Sequence, residues 1–189
     1  MLDNPFAPTL LIESRGAVRI VTINRPEALN AVDADLHHGF ANIWHHLASD
    51  AQARSVVLTG AGRAFSAGGD MVLLRHLQQN PVERAAQMEQ ARAVFNNLID
   101  FPLPIVAAVN GPAVGLGCTV AVLCDLVYMA ESAYLCDPHV GVGLTAGDGG
   151  APFWPLTMSL VRAKELLFFG SRLSASEAVE IGLANAVKP

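Results

Sequence analysis

Charge is scarce in this chain: 15% of its 189 residues are Asp, Glu, Lys or Arg, against about a quarter in an average soluble domain. Aromatic residues are also few, at 6%, while 52% of the chain is hydrophobic. Disorder needs the reverse balance and is excluded. Twelve basic against seventeen acidic residues leave a formal net charge of −5. That argues against a nucleic-acid partner, since phosphate-tracking affinity comes from clustered Lys and Arg. Cys118, Cys124 and Cys136 are odd in number and form no C-x-x-C pair. Neither a disulfide framework nor a metal site is expected, and reduced thiols in a cytoplasmic protein are. The sequence opens with no basic segment and no small-residue cleavage site, so no signal peptide is expected. Residues 101–124 are uncharged and long enough to span a bilayer. However, Pro102, Pro104 and the Asn110-Gly111-Pro112 turn would break a continuous helix. They read instead as a buried strand, a glycine loop and a buried helix, with no membrane partner.

The length suits a single α/β domain over 1–189, with a core from about residue 10 to about residue 187. Residues 10–12 and 17–23 read as two strands around Ser14-Arg15-Gly16. Asp33 is placed to cap a helix whose Leu36, Phe40, Ile43 and Leu47 recur at helical spacing. Residues 55–59 form an apolar strand followed by a small-residue loop over 60–70, and 81–98 alternate at helical spacing behind Pro81. The plan then repeats: strand 104–109, glycine loop 110–117, buried helix 118–124. Strands are expected at 126–130 and 134–136, and helix over most of 152–169 and 174–181, with Ser174 capping and Gly182 closing the last. Strand, glycine loop and helix recurring twice point to stacked ββα turns rather than a Rossmann sheet.

A loop of small residues after a buried strand lets a ligand approach the backbone closely. Where a helix follows, its first N–H groups have no intrahelical acceptor and sit at the positive end of the dipole. Two such loops facing one another would supply a pair of backbone donors, an oxyanion hole. Losing one such donor costs about 2.7–4 kcal/mol of transition-state stabilisation. Neither loop is a Walker or G-x-G-x-x-G motif.

In order along the chain stand Asn24-Arg25-Pro26-x-x-x-Asn30-Ala31, Ala64-Phe65-Ser66-Ala67-Gly68-Gly69-Asp70, Val109-Asn110-Gly111-Pro112-Ala113-Val114-Gly115-Leu116-Gly117-Cys118 and Cys124-Asp125. This set resembles the crotonase superfamily, the enoyl-CoA hydratase/isomerase family, over residues 10–187. The resemblance implies a ClpP/crotonase-like spiral of ββα units with its C-terminal helical section shortened. It also implies an acyl-CoA thioester substrate, no cofactor beyond the coenzyme A of that substrate, and a homotrimer or hexamer. It places the enolate-stabilising amides at Gly69 and Leu116, and coenzyme A contacts at Glu27, Ala28, Leu29, Ala64, Ser66, Asp70, Met71 and Val72. Asp70 is open to a second reading, as the cap of a helix.

The family's hydratases use two glutamates, and the matching positions here are Thr119 and His139. A Thr hydroxyl is no base near neutral pH. His139 is followed nine residues later by Asp148, and a carboxylate-oriented histidine can activate water. The expected catalytic set is therefore His139 as base, Asp148 as its orienting partner, Gly69, Leu116 and Thr119. Pro138-His139 with Gly147-Asp148-Gly149 is also similar to the β-diketone hydrolases typified by 6-oxocamphor hydrolase, although Leu116 stands where that enzyme uses a further histidine. The reading is thus an enoyl-CoA hydratase/isomerase-type enzyme. The alternatives are a His/Asp-dependent β-diketone or acyl-CoA hydrolase, and a non-catalytic module that binds coenzyme A esters. His37, His38, His45 and His46 on the first long helix are expected on a solvated or subunit-facing surface.

Overall fold

The structure, a computed structural model, describes residues 3–189. In chain order its elements are β1 (Leu10–Arg15), β2 (Val18–Ile23), α1 (Ala34–Ala48), β3 (Ser55–Gly60), α2 (Met71–Gln79), α3 (Pro81–Ile99), β4 (Ile105–Val109) and β5 (Ala113–Val114). There follow α4 (Leu116–Val122), β6 (Leu126–Ala130), β7 (Tyr134–Cys136), α5 (Gly150–Thr157), α6 (Leu160–Phe169), β8 (Arg172–Ser174), α7 (Ala175–Glu180) and β9 (Ala186–Lys188). The main sheet runs β1-β2-β3-β4-β6-β9, with β1 and β2 an antiparallel hairpin and every later pairing parallel. Parallel neighbours need crossovers, which the intervening helices supply. A second sheet, β5-β7-β8, stands apart from it.

The expected helix start at Asp33 holds, its Oδ1 accepting from Leu36 N at 2.9 Å. Leu36, Phe40, Ile43 and Leu47 are all fully buried, each side chain contributing about 1.5–3 kcal/mol of burial. They join one cluster running from Leu10 to Ala184. Residues 101–124 fold into β4, β5 and α4, and no helix among the described residues is long and apolar enough to cross a membrane.

The differences from the expected elements are local. The helical stretch at 150–169 is two helices, because Met158 is extended and Ser159 caps α6 by accepting from Arg162 N. Helix α2 follows Asp70, which caps it, its Oδ1 accepting from Val72 N at 2.9 Å. Strands β5, β8 and β9 have two or three residues each, too few for periodicity to register.

Candidate active site

Because β3 and β4 are adjacent and parallel, the loops at their C-terminal ends emerge side by side, the usual place for ligands in such sheets. Side chains lash these loops together. Asn110 accepts from Gly60 N at 3.0 Å and donates to Gly62 O at 3.0 Å. Pro112 O accepts from both Phe65 N and Ser66 N, and Val114 N donates to Ser66 O at 2.9 Å. The segment before α1 adds a third strap. Asn30 is fully buried and donates to Ala61 O and Ala64 O, while its backbone oxygen accepts from Ser66 Oγ at 2.7 Å.

This lashing leaves two amides unused. Val32 pairs with Gly69 as in a parallel sheet: Val32 N donates to Gly68 O at 2.7 Å and Asp70 N to Val32 O at 3.0 Å. Backbone polarity alternates along an extended chain, so the intervening Gly69 N–H faces the other way. Leu116 is the first residue of α4, ahead of any intrahelical acceptor. Neither N–H has a protein acceptor among the described residues. Glycine is needed at Gly68 and Gly115, which have φ of +83° and +52°. A Cβ at Gly68 would lie 2.6 Å from Val114 O, and one at Gly115 would lie 3.8 Å from Gly68 Cα. The two loops are therefore in close backbone contact.

Gly69 and Leu116 line one cavity of about 670 Å³, together with His139 and Asp148. The structure brings that histidine and aspartate together: His139 Nε2 lies 3.2 Å from Asp148 Oδ2. It adds a residue the sequence reading missed, Asp137, whose Oδ1 is 2.5 Å from His139 Nδ1. Asp137 is 2% exposed. Burial pulls the His139 pKa down, but hydrogen bonds to Asp137 and Asp148 and the charges of both carboxylates outweigh it, raising the pKa to about 10. His139 is therefore an imidazolium at neutral pH. Both ring nitrogens face carboxylates, an arrangement that points away from the histidine base expected from the sequence. Thr119 is also reassigned: it is 2% exposed, and its hydroxyl donates to Asp148 Oδ1 at 3.2 Å. It holds the carboxylate rather than facing the cavity. Gly149 and Gly150 make room for this arrangement, because a Cβ on them would fall 2.3 Å from Thr119 Cγ2 and 2.1 Å from Asp137 Oδ2.

Asp137, His139 and Asp148 each offer a ligand atom, all within 4.8 Å of one another. The imidazole already bridges the two carboxylates, so a cation there would require it to give up one of those partners. The signal for Asp137 was the Asp-Pro-His spacing, which lets a carboxylate curl back onto the ring two residues later.

The expected coenzyme A contacts separate into two groups. Met71 lines the cavity, Val72 is 76% exposed, Glu27 is exposed, and Ala28 and Leu29 are half-buried. Asp70 caps α2 and lies 3.5 Å from Arg25. Ala64 and Ser66 are buried, with Ala64 O, Ser66 N, Ser66 O and Ser66 Oγ all paired inside the loop. Ala64 O and the polar groups of Ser66 are thus engaged within the loop. His38 and His45 are exposed as expected, but His37 is 6% exposed and lines the cavity.

The family follows from comparison with known proteins. The chain matches the enoyl-CoA hydratase/isomerase family over residues 13–189. It belongs to that family. Among solved structures of the enoyl-CoA hydratase/isomerase class, one from Mycobacterium paratuberculosis is 50% identical and superposes with a TM-score of 0.95, covering 98% of this chain and 74% of the other. An enoyl-CoA hydratase from Bacillus anthracis is 32% identical with a TM-score of 0.89, covering 96% and 70%. The fold is thus the crotonase fold. The short-chain-enoyl-CoA hydratase of Clostridium acetobutylicum is 36% identical over 179 residues, 94% of this chain and 68% of that protein. Human enoyl-CoA delta isomerase 2 is 33% identical over 183 residues, 96% of this chain and 46% of that protein. The chain spans roughly two thirds of the length of the hydratases it matches, 68% of the Clostridium protein and 62% of the Pongo abelii mitochondrial one.

Proposed function

We propose that this hydratase/isomerase-family chain acts on an acyl-CoA thioester by proton transfer beside the thioester carbonyl. The carbonyl oxygen sits between Gly69 N–H and Leu116 N–H, which stabilise the enolate as negative charge moves onto it. The observation that carries this reading is that both residues with unused amides, together with His139 and Asp148, line the same cavity. Two carboxylates and one imidazolium leave the Asp137–His139–Asp148 cluster with one net negative charge. Asp148 is the cavity-lining carboxylate and takes the proton from substrate, its electron pair passing to the thioester oxygen. Returning that proton at another carbon gives isomerisation; in hydration Asp148 instead takes a proton from a water whose oxygen bonds the β-carbon, the double-bond pair moves to the thioester oxygen, and the α-carbon of the enolate is then protonated. His139 stabilises Asp148, and Asp137 holds His139. No resident cofactor takes part, and coenzyme A arrives with the substrate.

A second reading rests on one observation: Thr119 and His139, at the two glutamate positions, converge on the single Asp148. A water polarised there would serve hydrolysis: attack on a thioester carbonyl breaks the C–S bond and releases coenzyme A, while attack on the distal carbonyl of a β-diketone or 3-oxoacyl-CoA breaks the C–C bond, giving a carboxylate and an enolate that is then protonated. Separate assays of hydration, isomerisation, thiol release and C–C cleavage, on crotonyl-CoA and on a 3-oxoacyl-CoA, decide between the two. Asp148→Asn is expected to lower kcat by about 10²–10⁴, the usual worth of a general base, with KM little changed. Undiminished turnover contradicts the role, and binding without turnover in the parent chain supports a non-catalytic module. A homotrimer or hexamer is also proposed, from the exposed Leu156, Val161, Phe168 and Phe169 on α5 and α6. Light scattering of a clean monomer at micromolar concentration contradicts it. The three buried, unbridged cysteines suit a cytoplasmic setting.

A further inference from the structure

Helices α1 and α3 supply part of the cavity lining, and that part is not uniformly apolar. His37 from α1 and Gln87 from α3 both line it, beside Leu77, Met88 and Phe95. His37 Nδ1 and Gln87 Nε2 are buried and make no hydrogen bond among the described residues. Burial pulls the His37 pKa down, opposed by a side-chain hydrogen bond with Gln90 and by the Asp148 charge, so the ring is neutral at pH 7 with its Nδ1 left unpaired. A neutral imidazole nitrogen and an amide NH₂ are hydrogen-bonding groups without fixed charge, and leaving such groups buried and unpaired is costly. Buried polar groups without internal partners, set in a mostly apolar binding cavity, are the usual means by which a site selects a polar substituent.

We infer that His37 and Gln87 form a recognition pair for an uncharged oxygen, a ketone or hydroxyl, carried on the acyl chain beyond the thioester. The proposal rests on the acyl-CoA reading of the site and narrows it to oxygenated acyl groups. Plain hydrocarbon chains leave both polar atoms unpaired and bind less well. A carboxylate-bearing chain is disfavoured, because neither member of the pair carries a positive charge to meet it.

The test is calorimetric binding of hexanoyl-CoA and its 3-, 4- and 5-oxo isomers to the full chain, and to His37→Phe and Gln87→Leu. Gln87 lies on the more exposed α3, so its variant guards against a folding defect in His37→Phe. At least one oxo isomer is expected to bind about tenfold or more tightly than hexanoyl-CoA, the scale of discrimination a dedicated hydrogen-bonding pocket achieves. Each substitution is expected to erase that preference, mainly by weakening the oxo ester. Equal binding of all four esters, unchanged in the variants, overturns this inference and leaves the acyl-CoA reading standing. Failure of every ester to bind overturns the acyl-CoA reading itself.

Discussion

His139 lies between two carboxylates, with 2.5 Å to Asp137 and 3.2 Å to Asp148, and its raised pKa of about 10 makes a pH prediction. The unfolded imidazole titrates near ~6.5. A folded pKa above that value adds stability that is fully present below about pH 6.5 and is lost as pH rises toward about 10, by up to about 1.4 kcal/mol per pH unit. Chemical denaturation across that window is expected to show the fall, and Asp137→Asn to flatten it. NMR titration of the ring is expected to give a midpoint near 10 in the parent chain and a lower one in Asp137→Asn. A parent midpoint near the ordinary histidine value contradicts the assignment. At this scale the sequence was partly readable. The His139–Asp148 pairing was expected from the resemblance of the Pro-His and Gly-Asp-Gly loops to known His/Asp sites, since the spacing alone fixes no contact. The third partner was not, because Asp137 is marked only by its neighbours, and whether its carboxylate curls back depends on the backbone between Cys136 and His139. His37 was obscured for another reason: four histidines within ten positions look like one polar face, and only the packing of α3 against α1 separates the buried one from the exposed ones.

The two glycine loops depend on clearances that one methyl group would close. A Cβ at Gly117 would lie 2.5 Å from Ser66 Cβ and 2.9 Å from Ser66 O, so Gly117→Ala must push the loops apart. Since Gly117 sits inside α4 and is not at positive φ, alanine suits its backbone. The expected outcome is a folded protein with turnover cut at least about tenfold, and steady-state kinetics beside a thermal melt check both parts. Asn30 is less forgiving. It has a φ of +56°, is fully buried, and its side chain makes three hydrogen bonds, to Arg25 N, Ala61 O and Ala64 O. Asn30→Ala is expected to cost about 2–4 kcal/mol in urea denaturation, from the lost hydrogen bonds and the stranded buried partners. Ser174→Ala removes a full capping box at α7 and is expected to cost about 1 kcal/mol. The long periodic α1 and the short apolar strand β6 were legible in the sequence. The break at Met158–Ser159 was not, because apolar residues continue across it and only the extended backbone at Met158 separates α5 from α6.

On the scale of the whole molecule, the site is a product of sheet order. Strands β3 and β4 lie far apart in sequence but adjacent in space, which brings the 61–70 and 110–115 loops together. The small sheet delivers the acid–base cluster, since β7 leads directly into Asp137 and pairs with β5 beside the second glycine loop. No single segment encodes that convergence, and composition and periodicity stop short of it. The ordered motifs made it readable, because several matched together fix one chain path. The account turns on Gly69 N–H and Leu116 N–H binding one oxygen. A crystal structure with a non-hydrolysable acyl-CoA thioether ketone tests this most directly. The account predicts the ketone oxygen within about 2.7–3.1 Å of both nitrogens. An oxygen bound to only one of them, or held outside the glycine loops, would contradict it.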